Sequence, residues 1–146
     1  MKRHFTGQTV AGSYFNQPND IQLTEFDSVF TTMTQRHGAT RTYQIDIYAI
    51  PLNTGPLNAS QHPWVVEVKN WKDAVTKPDV EKFWQATNNL AKDKGHAGVV
   101  RWFYARSGFT GPAITFMQEK GMFYTDEEGL LGLLEVLQVV DKWREE

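Results

Sequence analysis

The stretch Pro63-Trp64-Val65-Val66-Glu67-Val68-Lys69-Asn70-Trp71 has the apolar density of a sheet strand, yet it sets a carboxylate and an ammonium two residues apart inside that strand. Strand side chains alternate, so Glu67 and Lys69 share one face, about 6.5–7 Å apart along the chain. Val66 and Val68 take the other, so one face reads as core and the other as charged. Lys and Glu are seldom buried unless they are paired or at work. Either this is an edge strand with a solvated face, or the charged pair has a chemical task.

A second anomaly lies one strand earlier. Thr42 to Ile50 alternates cleanly, with Tyr43, Ile45, Ile47 and Ala49 on one face and Gln44, Asp46 and Tyr48 on the other. Aspartate is disfavoured in the middle of a strand. Pro51 to His62, with Gly55-Pro56 inside it, reads as the loop that returns the chain for the Glu67 strand. As neighbours, the two strands bring Asp46 and Glu67 onto the same face.

The remaining pattern supplies the layers. Residues 1–24 carry turn formers (Asn16-Gln17-Pro18-Asn19-Asp20) and one candidate strand, Thr9 to Phe15, and are read as an N-terminal extension without chemistry. Glu25 to Arg36 has apolar residues at helical spacing but is rich in Thr, Ser and Val. It is expected as a strand that pairs back through a turn at His37-Gly38. Thr76, Pro78 and Asp79 open a helix with the stripe Val80, Phe83, Trp84, Thr87, Leu90 and Ala91, which ends at Gly95. Ala97 to Ala105 reads as a buried strand, parallel to its neighbour because a helix crossover precedes it. Thr110 caps a short helix that stops at Gly121, Met122 to Tyr124 is a short strand, and Thr125 with Glu128 opens the last helix. This order makes an α/β fold, a mixed sheet flanked by helices.

Composition narrows the function. The 146 residues suit one domain with a real core. The net charge of -2 excludes a bulk polycation that binds nucleic acid by charge alone. With no cysteine there is neither a disulfide framework nor a thiolate metal site. No apolar run approaches the roughly 20 residues of a membrane span, and the Met-Lys-Arg-His start lacks a signal-peptide core. A cytoplasmic protein without a membrane partner is expected.

Asp46 and Glu67 on one face offer hard oxygen ligands for Mg²⁺ or Mn²⁺, and the carbonyl of Val68 could add a third. A cation so held polarises a phosphoryl oxygen and acidifies water, while Lys69 beside it can orient that water or stabilise developing charge. These are the requirements of phosphodiester hydrolysis.

Asp46, some twenty residues, Glu67-Val68-Lys69, the helix over Val80–Leu90, the strand Val99–Ala105 and the segment Ser107-Gly108-Phe109-Thr110-Gly111-Pro112-Ala113 together resemble the PD-(D/E)xK nuclease superfamily. The chain is most similar there to methylation-dependent restriction endonucleases and archaeal Holliday-junction resolvases, over roughly residues 40–125. The resemblance implies a restriction-endonuclease-like fold and metal-dependent cleavage of DNA, duplex or branched, with Asp46, Glu67 and Lys69 as catalytic residues. Two departures stand out. Ile45 occupies the place of the name-giving proline, and the acidic residue that relatives carry on a helix before the sheet has only Glu25 and Asp27 as candidates, neither of which is assigned. The superfamily also holds members that only bind, so a catalytically inactive nucleic-acid-binding or assembly module is the alternative.

Other residues have plainer readings. His37, His62 and His96 lack ligand spacing. Lys72 and Lys77 read as solvated, Arg106 as a possible phosphate contact, and Arg101, which interrupts an apolar strand, as an ion pair or a DNA contact. Gln85 falls on a helix face near the site and reads as solvated. The tryptophans Trp64, Trp71, Trp84 and Trp102 read as core or rim, with Trp71 able to stack on a base if exposed. In the C-terminal helix, Asp126 to about Arg144, the stripe Leu130, Leu133, Leu134, Leu137 and Val140 faces the sheet. Leu131, Val136, Val139 and Trp143 spread apolar surface beyond one packing face. The N-terminal segment, a homodimer contact or the rest of a larger protein would cover it.

Overall fold

The computed structural model describes residues 9–22, 26–37, 40–51 and 62–136, with side chains over 10–21, 44–50 and 62–133. Strands β1 (Thr9–Val10) and β2 (Ile21–Gln22) form a small antiparallel ribbon around a 3-10 turn at Gly12–Phe15. The main sheet has five strands in the order β3-β4-β5-β6-β7. These are β3 (Phe26–His37), β4 (Thr40–Pro51), β5 (Trp64–Lys69), β6 (Val100–Ala105) and β7 (Phe123–Thr125). β4 runs antiparallel to both of its neighbours, β3 and β5, whereas β5, β6 and β7 are parallel. The change of direction follows from the connections. Parallel neighbours need a crossover, and helices α1 (Lys77–Lys94) and α2 (Gly111–Lys120) supply it between β5, β6 and β7. Helix α3 (Glu127–Val136) closes the described chain.

The Thr- and Val-rich run after Glu25 is a strand, as β-branching favours, and pairs with β4 from Phe26↔Pro51 to His37↔Thr40. His37, expected in a turn with Gly38, is still in the ladder, paired with Thr40, and Gly38 lies outside the described residues.

Helices cover both faces of the sheet. On one, Val80, Phe83 and Leu90 of α1 and Ala113 and Met117 of α2 pack with Tyr48, Val65, Phe103, Ala105 and Tyr124. On the other, Val10, Phe15 and Leu133 pack with Ala49 and Trp64, and Trp102 and Phe123 lie against them. Two antiparallel-strand expectations need correction. Ile45 and Tyr48 belong to opposite faces by period 2, yet both join the α1-side cluster. The face that bears Glu67 and Lys69 is also not simply a charged one: Val65 on that face is fully buried under α1, and Val68 on the opposite face is exposed.

Helix ends follow their caps. Asp79 Oδ2 accepts from the Thr76 N–H at 3.0 Å and from the Thr76 hydroxyl at 2.7 Å, and Gly95 closes α1 in the left-handed region. Thr110 Oγ1 accepts from the Ala113 N–H at the start of α2. The cap of α3 is Asp126, whose carboxylate accepts the Gly129 N–H at 2.8 Å, and not Thr125. Thr125 is unavailable because it is buried: its hydroxyl accepts from Trp102 Nε1 at 2.8 Å and donates to the Tyr14 carbonyl at 2.6 Å.

That hydroxyl ties the N-terminal segment to the sheet, and Asn16 and Gln17 extend the tie by donating to the Tyr124 and Met122 carbonyls. Tyr14 in turn lies against Gly129 and Gly132 of α3. The N-terminal segment therefore covers the described part of α3, although Leu131 stays 58% exposed. Leu134, Leu137, Val140, Val136, Val139 and Trp143 have side chains outside the described set.

Thr125→Val keeps the shape of the side chain but orphans a half-buried indole N–H and a half-buried carbonyl. An unfolding free energy lower by about 2 kcal/mol is expected in urea denaturation, at an unchanged slope. A loss below about 0.5 kcal/mol would mean that water or another group satisfies both.

Candidate active site

The β4–β5 ladder ends at Ile47↔Val66. Beyond that rung the Val68 N–H, which points toward β4, donates to Asp46 Oδ2 at 2.9 Å. A strand residue directs its N–H and C=O to the same side, so the Val68 carbonyl also faces the Asp46 side. Glu67 lies next to this pair, and its carboxyl shares a hydrogen bond with that of Asp46. Lys69 Nζ stands 3.6 Å from Glu67 Oε1. The four predicted elements, Asp46, Glu67, the Val68 backbone and Lys69, are brought together.

Asp46, Glu67 and Lys69 line a recess of about 520 Å³ between the sheet and α1, together with Asp79, Lys82, Phe83, Gln85 and Ala86 of the helix. The local sequence explains the opening. Val65 is followed by Glu67 and Lys69 on the α1 side of β5, so the apolar contact that seats the helix stops one residue pair before the strand does. Trp71 lies beyond β5 at the mouth, with Lys69 Nζ 4.9 Å from its ring centroid. The segment after β5 is held by pairing with the turn before α2: the Val75 N–H donates to the Gly108 carbonyl and the Thr110 N–H to the Val75 carbonyl, both at 2.9 Å. Gly108 has φ of +77°, a conformation that suits glycine.

The two carboxyls have opposite titration. Burial, its hydrogen bond to Asp46 and the Asp46 charge push Glu67 up to about 8, against the pull of Lys69. Burial also works to raise Asp46, but the Glu67 hydrogen bond, the Val68 N–H and the Lys69 charge outweigh it and hold Asp46 below its ordinary value. At neutral pH the pair therefore shares one proton, which resides on Glu67.

Two neighbouring carboxyl groups, one of them held protonated by burial and by its hydrogen bond to the other and that group's charge, are donor chemistry that a hard divalent cation would relieve. With the Val68 carbonyl they make a set of oxygen ligands, and the set fits Mg²⁺ or Mn²⁺ with water in the other positions. Among the described residues no group of three or more His, Cys, Asp or Glu could hold a metal ion. Asp79 lines the recess, but its carboxylate is engaged in the α1 cap.

The remaining candidates fall elsewhere. Arg101 makes no salt bridge among the described residues. It donates to Thr87 Oγ1 at 2.6 Å and to Asn88 Oδ1, with its guanidinium 4.0 Å from the Trp84 ring centre, and so fastens α1 to β6. His96 is hydrogen-bonded to the Tyr48 hydroxyl at the far end of α1, and Arg106 pairs loosely with Glu127 at 3.9 Å. Gln85, expected on a solvated face, is exposed and yet lines the recess, with an amide N–H donated to Asn89 at 3.3 Å. Gln44, Asp79 and Lys82 also line it and went unnoticed in the sequence. Their signal was there: Gln44 is two residues before Asp46, and 79, 82, 83 and 86 form one helical stripe. Asp27 lies in β3 with its side chain outside the described set, and Glu25 and the side chain of His37 also lie outside it.

A protein-family model described as "Restriction endonuclease" (Mrr_cat) matches residues 20–134, most of the chain and the whole of this site. The chain belongs to the Mrr_cat restriction endonuclease family. Its mixed sheet and flanking helices are the PD-(D/E)xK-like fold of that family. No curated protein matches at a significant level. Two solved structures are similar. The crystal structure of a protein of unknown function superposes with a TM-score of 0.50 at 14% identity, over 68% of this chain and 48% of that one. A repair endonuclease from Pyrococcus abyssi gives 0.49 at 17% identity, over 69% of this chain and 38% of that one. This restriction endonuclease family member thus spans half or less of the structures it resembles, and the first likeness bears on fold alone. Among the described residues no helix is long and apolar enough to cross a membrane.

The shared proton has a thermodynamic consequence. Glu67 holds its proton more tightly folded than unfolded, so its stabilising contribution is complete below pH 4.5 and is lost as pH rises toward about 8. The lowered Asp46 contributes above its ordinary value and does not change in that window. His96, lowered by burial and by Lys94 and His62, works in the opposite direction and cancels in a comparison of variants. Without divalent metal, Glu67→Gln should gain stability relative to the parent by about 1–3 kcal/mol between pH 5 and 8.5. Parallel stability curves in urea titrations across that range would contradict the shared proton.

Proposed function

We propose that the protein is a metal-dependent endonuclease that hydrolyses phosphodiester bonds of DNA. Asp46 and Glu67 are the Mg²⁺ or Mn²⁺ ligands with the Val68 carbonyl, and Lys69 positions the attacking water. The observation that carries this reading is the placement of the Asp46 and Glu67 carboxyls together in one recess at the open end of the β4–β5 ladder, with the Lys69 ammonium 3.6 Å from Glu67. Membership in the restriction endonuclease family supports DNA as the substrate.

When bound, the cation supplies Lewis-acid polarisation of a phosphoryl oxygen and partial neutralisation of its charge. The protein's own groups do the rest. The Val68 N–H holds Asp46 in place and leaves its second oxygen to bind. The proton on Glu67 has to leave before both carboxylates act as ligands, so metal affinity rises with pH. Lys69, held by Glu67, presents N–H donors to the water that attacks phosphorus and to the negative charge that grows on the non-bridging oxygens. Phe83 and Ala86 exclude bulk water from one side of the recess and strengthen these interactions.

The Glu67–Lys69 contact also favours a second reading, a catalytically inactive nucleic-acid-binding or assembly module in which that ion pair is structural. Purified protein with supercoiled, linear, single-stranded and branched DNA in Mg²⁺ or Mn²⁺ separates the two. The nuclease reading expects cleavage of at least one substrate, reduced at least about 100-fold in Asp46→Asn, Glu67→Gln and Lys69→Ala. It also expects Mn²⁺ to raise the melting temperature of the parent and not of Asp46→Asn. No cleavage and no thermal shift would favour the inactive module, and cleavage unaffected by all three substitutions would locate the chemistry elsewhere.

A further inference from the structure

We infer that Trp71 is a stacking platform for an unpaired base, so that the recess takes DNA with a nucleotide outside the double helix, a single strand or a flap, in preference to intact duplex. The inference rests on reading the recess as the DNA-cleaving site and specifies which form of DNA enters it.

The geometry ties the indole to the site. The Lys69 ammonium that lies 3.6 Å from Glu67 Oε1 also lies 4.9 Å from the centre of the Trp71 ring. One side chain therefore touches both, and a strand whose phosphate meets the carboxylates carries its neighbouring base to the indole. Trp71 nevertheless remains 41% exposed, and with Val68 it makes up two of the three large hydrophobic side chains exposed among the described residues. The ring is not on a loose tether. Ser107 Oγ donates to the Trp71 carbonyl at 2.7 Å, and the Val75–Gly108 and Thr110–Val75 bonds hold the segment just beyond it.

Electrostatics and stacking point to the same form of DNA. Protein–duplex affinity comes largely from cations on phosphates, and this chain has a net charge of -2, with Asp73, Asp79 and Glu81 interspersed among Lys72, Lys77 and Lys82. Stacking on an aromatic ring supplies affinity that does not depend on such charge. The faces of paired bases are covered by their neighbours, so an indole receives only a base that has left the stack. Lys69 keeps an ammonium at the same ring, where it is placed to meet the phosphate of the stacked nucleotide.

The test measures binding by fluorescence anisotropy in EDTA, where no cleavage occurs, with three probes: an oligothymidine single strand, an intact duplex, and the duplex with a single-stranded flap. Trp71→Ala is expected to weaken single-strand and flap binding about tenfold, Trp71→Phe to retain most of it, and both to leave duplex binding within twofold. In cleavage of the flap, the Trp71→Ala loss should appear in KM with kcat nearly kept. Equal losses on all three probes, no loss on any, or a fall confined to kcat would overturn the inference, the last assigning Trp71 to the placement of Lys69. Melting curves establish that each variant is folded. The outcomes are separable from those of the nuclease reading: a protein that never cleaves but loses single-strand binding in Trp71→Ala sinks the nuclease and keeps the platform. Cleavage lost in Lys69→Ala, with all probes bound equally by Trp71→Ala, does the reverse.

Discussion

The hydrogen bond from the Val68 N–H to Asp46 Oδ2, 2.9 Å long, is made where a backbone rung would otherwise continue the sheet. It replaces a ladder bond by a side-chain bond, and the substitution has several consequences at once. β5 needs no carbonyl from β4 at this level, so the two strands can part. A carboxylate is fixed in the gap by a main-chain donor, which costs no mobile side chain. Glu67, on the next residue of β5, then meets Asp46 closely enough to share its proton. An ordinary rung would have sealed the ladder and left Asp46 a surface aspartate.

The rest of the fold makes that gap usable. The crossover helix α1 seats on Val65 and Phe103 but not on Glu67, which leaves the recess. The Thr76–Asp79 cap sets where α1 begins, and Arg101 with Thr87 and Asn88 fastens its middle to β6. On the opposite face the 3-10 turn, Thr125 and α3 bury Trp64 and partly cover Trp102, so the strands that carry the site are supported from behind by a packed aromatic layer. The polar groups on the α1 side are thereby confined to one end of the parallel strands, where a substrate can reach them.

Much of this was legible in the chain. Glu-Val-Lys inside an apolar strand and Asp46 inside an alternating one are local contradictions of propensity, and Asp46, Glu67 and Lys69 all line the recess. Capping chemistry located α1 and α2, because Thr76, Asp79 and Thr110 bond within a few residues of themselves. Non-local matters were not legible. Thr125 looks like a cap until Trp102 and Tyr14, 23 and 111 residues away, are seen to claim its hydroxyl. Arg101 looks like an ion-pair partner until two neutral oxygens of α1 and an indole are found around it. Period-2 reasoning did not foresee that Ile45 would join the cluster under α1 with Tyr48. The sequence could show that carboxylates would gather, but not that one of them would take over a main-chain bond.

Asp46 and Glu67 hold one proton between them, and the divalent cation proposed for this site would displace it. Calorimetric titration of Mn²⁺ at pH 7, repeated in buffers of different ionisation enthalpy, measures the protons released on binding. The account predicts binding with release of nearly one proton per ion, and loss of that release in Glu67→Gln. Binding without proton release, or a release that survives Glu67→Gln, would contradict it.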